Sequence, residues 1–156
     1  MTENHVAQPP PAAVSPQTAL PVMLEIAEVR RENATAKTLL ISLESAEDQP
    51  GLILETFTPG QFVMVWVPRM DEKPYALSYL EEGRAGITVH RRGPFSKRLC
   101  EMRAGERIGL RGAYGRGFWD VGERAPGASA AIIGGGCGMA VLAPLAERLP
   151  EATLVQ

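Results

Sequence analysis

The sequence predicts a mainly β protein: a six-stranded antiparallel barrel with one capping helix, followed by the first βαβ unit of an α/β nucleotide-binding domain. Two observations predict the barrel. The apolar segments between residues 22 and 112 are short and alternate with polar side chains, and turns that contain Gly or Pro separate them. A third observation predicts the βαβ unit: beyond residue 130 a buried strand is followed by a glycine-rich turn and an apolar helix.

The predicted elements of the barrel follow in order along the chain. Met1–Pro21 is rich in Pro, Ala, Gln and Thr, which predicts a disordered tail. The barrel domain is predicted over residues 22–120, with strands at Val22–Arg30, Thr38–Leu43, Gln61–Val67, Tyr75–Leu80, Gly86–His90 and Arg107–Gly112. Its helix is predicted over Pro94–Met102, because Phe95 and Leu99 lie at helical spacing. Proline in the first turn of a helix is tolerated, since its missing N–H costs nothing there.

The second domain is predicted over residues 129–156. Trp119–Ser129 is polar and contains Gly and Pro, which indicates a connection between domains. Ala130–Ile133 is predicted to be a strand, Met139–Leu149 a helix and Ala152–Val155 the next strand. Because a parallel sheet needs several βαβ units to cover both faces, this part is expected to be the truncated beginning of a larger domain.

Composition argues against several classes of function. The 16 basic and 18 acidic residues leave a net charge of -2, which argues against a nucleic-acid partner. No apolar run approaches the roughly 20 residues that cross a bilayer, and no secretory signal is recognisable, so a cytoplasmic protein without a membrane partner is expected. Cys100 and Cys137 lack the spacing of a disulfide framework or a metal site. The histidines, His5 and His90, offer no catalytic triad, and no residue is predicted to transfer protons.

Gly93–Ser96 stands at a predicted junction between a strand and a helix. A helix N-terminus presents unpaired N–H groups and partial positive charge, which suit a pyrophosphate, and Ser96 adds a hydroxyl. An ordinary turn with a capping serine is the alternative. The preceding His90, Arg91 and Arg92 form the densest basic cluster of the chain, in which His90 and Arg92 face away from Arg91. They suit a diphosphate, and a solvated strand edge is equally compatible.

Lys73–Ser78, with the sequence Lys-Pro-Tyr-Ala-Leu-Ser, leads into a predicted strand. Lys73 is a candidate for pairing with phosphate, and Tyr75 for packing its ring on a planar group such as a flavin. Ala76 and Ser78 share the face opposite Tyr75. A solvated lysine and a core tyrosine are the alternative.

Two further glycine-rich segments follow. Gly112–Phe118 has aromatic residues between its glycines, which indicates a tight structure against a planar ligand or at a domain seam, or else a barrel-exit loop. Ile132–Gly138 resembles a nucleotide-binding turn, although Met139 occupies the last glycine position of that pattern and no acidic residue follows about 20 positions later. Cys137 is a candidate for exposure above a nicotinamide, with a small residue in a tight loop as the alternative.

Five motifs occur in the order found in the ferredoxin–NADP reductase superfamily, which the chain resembles from about Val22 to Gln156. They are Pro59–Phe62, Lys73–Tyr75, Gly93–Ser96, Gly112–Gly115 and Gly134–Gly138. The chain is most similar to the branch of dihydroorotate dehydrogenase electron transfer subunits, through Gly115–Phe118 and Gln61–Pro68.

The resemblance implies an FAD-binding barrel and an NAD-binding domain. It assigns the parts of FAD to Lys73, Pro74, Tyr75, Ala76, Thr88, Val89, His90, Gly93, Phe95 and Ser96, and the start of an NAD(H) site to Gly134, Gly135, Gly136 and Gly138. The chain departs from the family at two positions. Lys73 replaces an arginine, which loses bidentate contact with phosphate, and Ala76 replaces a serine or threonine near the flavin. Ser78, on the same face as Ala76, is expected to supply that hydroxyl.

The implied function is electron transfer between NAD(H) and a partner subunit through FAD. In the intact family a 2Fe-2S cluster, expected in a C-terminal part beyond Gln156, passes electrons to a catalytic FMN-containing dihydroorotate dehydrogenase subunit, in a heterotetramer that serves pyrimidine biosynthesis. The present chain alone is expected to be inactive. The alternatives are the small subunit of an NADH-dependent ferredoxin:NADP oxidoreductase or of a sulfide dehydrogenase, and a flavin-binding module without turnover.

Overall fold

The computed structural model describes residues 20–44, 57–81, 83–118, 130–149 and 152–155 of the chain. The first group of elements is β1 (Val22–Arg31), β2 (Ala36–Ser42), β3 (Phe62–Val67), β4 (Asp71–Glu81), β5 (Arg84–His90), α1 (Pro94–Glu101) and β6 (Arg107–Tyr114). The second group is β7 (Ala131–Ile133), α2 (Met139–Arg148) and β8 (Thr153–Val155), with a short 3-10 turn, Gly136–Gly138, before α2.

The six strands of the first group close into a barrel in the order β1-β2-β5-β4-β3-β6, and each pair of neighbours is antiparallel. The predicted six-stranded antiparallel barrel with one helix is therefore confirmed. The strand order is not the chain order, because β5 inserts between β2 and β4, and β6 pairs with both β1 and β3. Closure leaves the barrel without a free sheet edge that could pair with another chain.

Alternation of side chains along the strands builds the core of the barrel. In β3, for example, Val63, Val65 and Val67 are buried, whereas the residues between them are partly exposed. The largest fully buried side chains are Leu24, Ile26, Leu39, Leu40, Ile41, Leu77, Ile87, Leu99, Ile108 and Leu110. Burial of each such side chain contributes about 1.5–3 kcal/mol. Phe95 and Leu99 of α1 join the same core, so this helix caps the barrel as predicted.

Strand β4 is longer than predicted, since it begins at Asp71 and not at Tyr75. Pro74 lies inside the strand, opposite Met64 of β3. The pairing of β4 with β5 begins only at Leu77, so Pro74 lies where β4 has one partner strand. A proline has no N–H donor, so it is tolerated in a strand at such a position. Strand propensity alone disfavours proline there.

The glycine-rich segment after β6 locks the end of the barrel. The buried Gln61 side chain donates from Nε2 to the carbonyl oxygen of Gly115 at 2.8 Å, and the N–H of Phe118 donates to the carbonyl oxygen of Pro59 at 2.7 Å. A Cβ at Gly117 would lie 2.9 Å from the Thr58 side chain, and its φ of +66° also favours glycine. This segment is therefore a tight structural contact.

The second group of elements forms one βαβ unit, as predicted. Strands β7 and β8 pair in parallel, with Ile132 opposite Leu154, and the N–H of Gly134 extends the ladder to the carbonyl oxygen of Val155. Helix α2 packs against β4 of the barrel. The predicted tail (residues 1–19 of Met1–Pro21) and the connection Trp119–Ser129 lie outside the described residues, so the domain limits stay predictions. Within the described part of the chain, no helix is long and apolar enough to cross a membrane.

Candidate functional site

A groove with a volume of about 520 Å³ separates the outer face of the barrel from the start of α2. Outward-facing side chains of β1, β2, β4 and β5 line one wall. The opposite wall is formed by Gly136, Cys137 and the first turns of α2. The groove thus joins the barrel to the glycine-rich turn, the two regions that sequence motifs single out.

The barrel wall of the groove carries three hydroxyl groups in a row. In β5 the buried Ile87 and Val89 face the core, which turns Thr88 and His90 outward. The Thr88 hydroxyl lies 2.7 Å from that of Ser78 in β4 and 2.9 Å from that of Thr38 in β2. These three residues come from three adjacent strands, so the row crosses the sheet.

His90 links this wall to the basic segment that follows β5. Its Nδ1 accepts a hydrogen bond from Nε of Arg92 at 3.2 Å, so in the neutral ring the proton is on Nε2. Nε2 then donates to the Thr35 hydroxyl at 3.1 Å. His90 and Arg92 therefore face together, as predicted for alternate residues of an extended segment.

The first turn of α1 holds the predicted anion-binding groups. The Ser96 hydroxyl accepts hydrogen bonds from the backbone N–H groups of Arg92 at 2.9 Å and Gly93 at 3.0 Å. The first intrahelical bond runs from Lys97 N–H to the Gly93 carbonyl, at 2.8 Å. The N–H groups of Phe95 and Ser96 precede that bond and have no intrahelical acceptor. Among the described residues, and apart from its two neighbours in the chain, no atom lies within 4 Å of where a Gly93 Cβ would stand, so a ligand has room to approach this backbone.

Tyr75 and Lys73 lie away from the hydroxyl row. Tyr75 pairs across the sheet with the buried Val63, and its half-buried ring stacks on Phe95 with 6.3 Å between ring centroids. It faces the core, and burial raises the pKa of the Tyr75 hydroxyl. Lys73 forms an exposed ion pair with Asp71, which lowers the pKa of that carboxyl.

The remaining predicted residues of the barrel fall into two groups. Ala76 lies opposite Phe62 on the outer side of β4, and Pro74 is exposed. The side chains of Val89 and Phe95 are buried, so each can reach a ligand only through its backbone. The structure therefore brings Ser78, Thr88 and His90 together in the groove wall and leaves Lys73 and Tyr75 outside it. Gly93 and Ser96 lie outside the groove and are linked to His90 by the hydrogen bonds of Arg92.

The glycine-rich turn before α2 leaves its backbone open. A Cβ at Gly134 would lie 2.6 Å from Met139 Sδ, so this glycine allows close packing of the strand on α2. By contrast, apart from the adjoining backbone, no described residue has an atom within 4 Å of where the Cβ of Gly135, Gly136 or Gly138 would stand. Gly136 has a φ of +54°. Open backbone at a helix start suits a phosphate-bearing ligand.

Sequence reasoning missed part of the groove wall. Arg30, Glu32, Thr38 and Tyr79 all line the groove. The Arg30 guanidinium carbon lies 5.2 Å from the centroid of the Tyr79 ring, and its hydrogen bond to Glu28 raises the pKa of Arg30. Thr38 lies on the face of β2 opposite the core residues Leu39 and Ile41, and this alternation is a usable signal. Its contact with Thr88 follows from the pairing of β2 with β5, which no local pattern specifies.

No protein-family model matches the chain. A curated relative from Methanothermobacter thermautotrophicus, the "probable dihydroorotate dehydrogenase B (NAD(+)), electron transfer subunit", is 38% identical over 136 residues. The alignment covers 86% of this chain and 45% of the relative. Other relatives with that name are 32% to 42% identical. Over this region the chain is similar to dihydroorotate dehydrogenase electron transfer subunits, the branch that the sequence motifs predict. The chain spans less than half the length of these relatives.

Solved structures show the same fold. The ferredoxin reductase in carbazole 1,9a-dioxygenase has a TM-score of 0.69 at 22% identity, over 86% of this chain and 42% of that one. The NADH-dependent reduced ferredoxin-NADP oxidoreductase has a TM-score of 0.63 at 23% identity, over 90% of this chain and 47% of that one. The fold predicted for the chain is therefore the one found in these ferredoxin reductase structures.

Proposed function

We propose that this chain holds FAD on its barrel and begins an NAD(H) site at its second group of elements, as part of an electron transfer subunit. One observation supports the proposal most: a single groove lies between the hydroxyl row of the barrel and the open glycine-rich turn, and His90 in its wall is hydrogen-bonded to Arg92, whose N–H donates to Ser96 in the first turn of α1. A flavin bound there supplies exchange of electron pairs with a nicotinamide and of single electrons with a metal centre or a second flavin.

The first turn of α1 is proposed to hold the FAD diphosphate. The N–H groups of Phe95 and Ser96 are free of intrahelical bonds, and Gly93 leaves space in front of them. Arg91 and Arg92 are exposed beside this turn and add positive charge. The Ser96 hydroxyl holds the turn through the N–H groups of Arg92 and Gly93, so its proposed part is to shape the site.

The hydroxyl row is proposed to face the flavin ring, with Ser78 in place of the hydroxyl that Ala76 lacks. Thr88 and His90 continue this surface toward Arg92. Tyr75 is proposed to act from the core side: its ring stacks on Phe95 and thereby supports the first turn of α1. Lys73 is proposed to approach the cofactor phosphates, in competition with its exposed partner Asp71.

Gly134–Gly138 is proposed to begin the NAD(H) site. Gly135, Gly136 and Gly138 keep the backbone accessible at the start of α2, and Cys137 is exposed beside them in the groove. In this proposal the nicotinamide side of the groove is opposite the hydroxyl row, since Cys137 and the row both line the groove. Hydride transfer requires the nicotinamide and the flavin ring to approach face to face, and opposite walls of one groove allow that approach.

The relatives' name supports dihydroorotate oxidation in pyrimidine biosynthesis as the process served. We propose a catalytic FMN-containing dihydroorotate dehydrogenase subunit as the partner, in a cytoplasmic heterotetramer, and a 2Fe-2S cluster held outside the present chain. The small subunit of an NADH-dependent ferredoxin:NADP oxidoreductase is the second candidate, because that protein shares the fold.

Titration of the purified chain with FAD tests the proposal. We expect saturable binding of FAD, followed by flavin fluorescence and the visible spectrum, and much weaker binding of riboflavin, which lacks the diphosphate. Equal binding of the two would contradict the assigned diphosphate site, and absence of any flavin binding would refute the cofactor proposal. In an anaerobic titration with NADH we expect slow or absent reduction, because the described residues contribute one βαβ unit to that site. Rapid bleaching would show a complete nicotinamide site.

A further inference from the structure

The hydroxyl row on the barrel wall ends at a carboxylate. Glu32, just after β1, accepts a hydrogen bond from the Thr38 hydroxyl at 2.6 Å. Thr38 contacts Thr88 at 2.9 Å, and Thr88 contacts Ser78 at 2.7 Å. All four side chains line the groove. The backbone N–H of Glu32 donates to the carbonyl oxygen of Ala36 at 3.1 Å, which fixes the position of this residue beside β2.

The direction of every hydrogen bond in the row follows from Glu32. An ionised carboxylate only accepts, so the single hydroxyl hydrogen of Thr38 points to Glu32. Thr38 can then only accept from Thr88, and Thr88 in turn can only accept from Ser78. At 2.7 Å, the Ser78–Thr88 contact needs this hydrogen. The longer contact of Ser78 with the carbonyl oxygen of Gly86, at 3.4 Å, is secondary.

All three hydroxyl hydrogens are therefore committed to the chain of bonds that leads to Glu32. Toward the groove, the oxygens of Ser78, Thr88 and Thr38 offer only lone pairs. A row of this kind favours a ligand edge that carries N–H donors and disfavours an edge that carries unprotonated ring nitrogens, since two acceptors in contact leave both unsatisfied.

We propose that Glu32 is a positioning residue that keeps the hydroxyl row of this wall an acceptor surface, which selects an N–H-bearing edge of a planar heteroaromatic ring. The inference rests on the proposed function, in which that ring is a flavin. A reduced flavin carries an N–H group at the central ring where the oxidised form has an unprotonated nitrogen. The row therefore stabilises the reduced form relative to the oxidised form.

The test is the flavin midpoint potential of the FAD-loaded chain, equilibrated with a reference dye, together with the affinity for oxidised FAD. Thr38→Val keeps the shape of the side chain but disconnects Thr88 and Ser78 from Glu32. We expect the preference for reduced over oxidised flavin to fall about tenfold, which lowers the potential by about 30 mV for a two-electron couple. Thr38→Ser restores the hydroxyl and is expected to restore the potential.

Thr153→Val, an exposed Thr-to-Val change on β8, is the matched control and should leave the potential unchanged. Because Thr38 is buried, a second variant, Glu32→Met, removes the acceptor at an exposed position and should shift the potential in the same direction. If Thr38→Val and Glu32→Met bind FAD with the wild-type potential, the inference is wrong while the proposed function stands. If the wild-type chain binds no FAD, both fail.

Discussion

Gly93 and Gly135 offer a matched pair of substitutions that separates the two proposed nucleotide sites. Both residues have extended backbone conformations, with φ of -139° and -152°, which any residue adopts. In the part of the chain that the structure describes, no atom outside the adjacent residues lies within 4 Å of where a Cβ would stand at either position. Alanine therefore fits at both positions in the free protein. Because alanine allows the unfolded chain fewer conformations than glycine, each substitution should even stabilise the folded protein, by about 0.4–1 kcal/mol.

The two methyl groups nevertheless enter different sites. In Gly93→Ala the methyl group occupies the space in front of the first turn of α1, where the N–H groups of Phe95 and Ser96 would meet the FAD diphosphate. A hydrogen bond to a charged group is worth about 1.5–3 kcal/mol, so loss of one predicts FAD binding weaker by about tenfold to a hundredfold. Gly135→Ala leaves that turn untouched and should bind FAD as tightly as the wild-type chain.

Fluorescence titration with FAD, after thermal unfolding has shown that both variants are folded, provides the assay. When the same two variants are titrated with NADH, the order of affinities should be reversed, and Gly135→Ala should bind NADH more weakly than Gly93→Ala. Wild-type affinity for FAD in Gly93→Ala would refute the assignment of the diphosphate to α1. An equal loss in both variants, at unchanged unfolding temperature, would show that the two turns do not hold different nucleotides.

Three further substitutions test the barrel itself. Gly86→Ala should lower the free energy of unfolding by about 1–3 kcal/mol in urea denaturation, because its Cβ would lie 2.6 Å from Cβ of Tyr79; an unchanged midpoint would show that β4 and β5 can separate there. Leu99→Ala removes a fully buried side chain of α1 and should cost about 2–5 kcal/mol, whereas a cost below 1 kcal/mol would contradict the capping role. The hydrogen bond from Arg98 lowers the pKa of Glu106 below 4.5, so Glu106 stabilises the fold above that pH and loses the effect as pH falls. The difference in free energy of unfolding between the wild-type chain and Glu106→Gln should therefore shrink in acid. A difference that grows in acid would contradict the stabilising role of ionised Glu106.

The architecture of the barrel was predictable because its signals are local. Alternation in segments such as Phe62–Val67 specifies which side chains enter the core, and the spacing of Phe95 and Leu99 specifies the buried face of α1. The sequence predicts a start of β4 at Tyr75, after Pro74, because proline disfavours a strand when the segment is considered alone. The strand begins at Asp71. The position of Pro74 beside a single partner strand depends on where the pairing with β5 begins, and that is a property of the whole sheet.

The candidate site also contains residues that local sequence signals predict and residues that they do not. Gly93 and Ser96 were predictable, because a glycine–serine turn before an apolar helical repeat is a local signal. Glu32 and Thr38 were not, because their contacts with Thr88 and Ser78 depend on the insertion of β5 between β2 and β4. No pattern within a single segment specifies that strand order, so the hydroxyl row exists only in the folded barrel.

The position of Tyr75 connects the core to the proposed cofactor surface. Its ring stacks on Phe95, which stands one residue after Pro94 at the start of α1, while Ser78, three residues along the same strand, joins the hydroxyl row on the outer face. One strand therefore supports the proposed diphosphate turn from inside and contributes to the proposed ring surface outside. Because β4 is paired with both β3 and β5, a shift of either surface requires breaking sheet hydrogen bonds, and the two surfaces are held in register by the barrel.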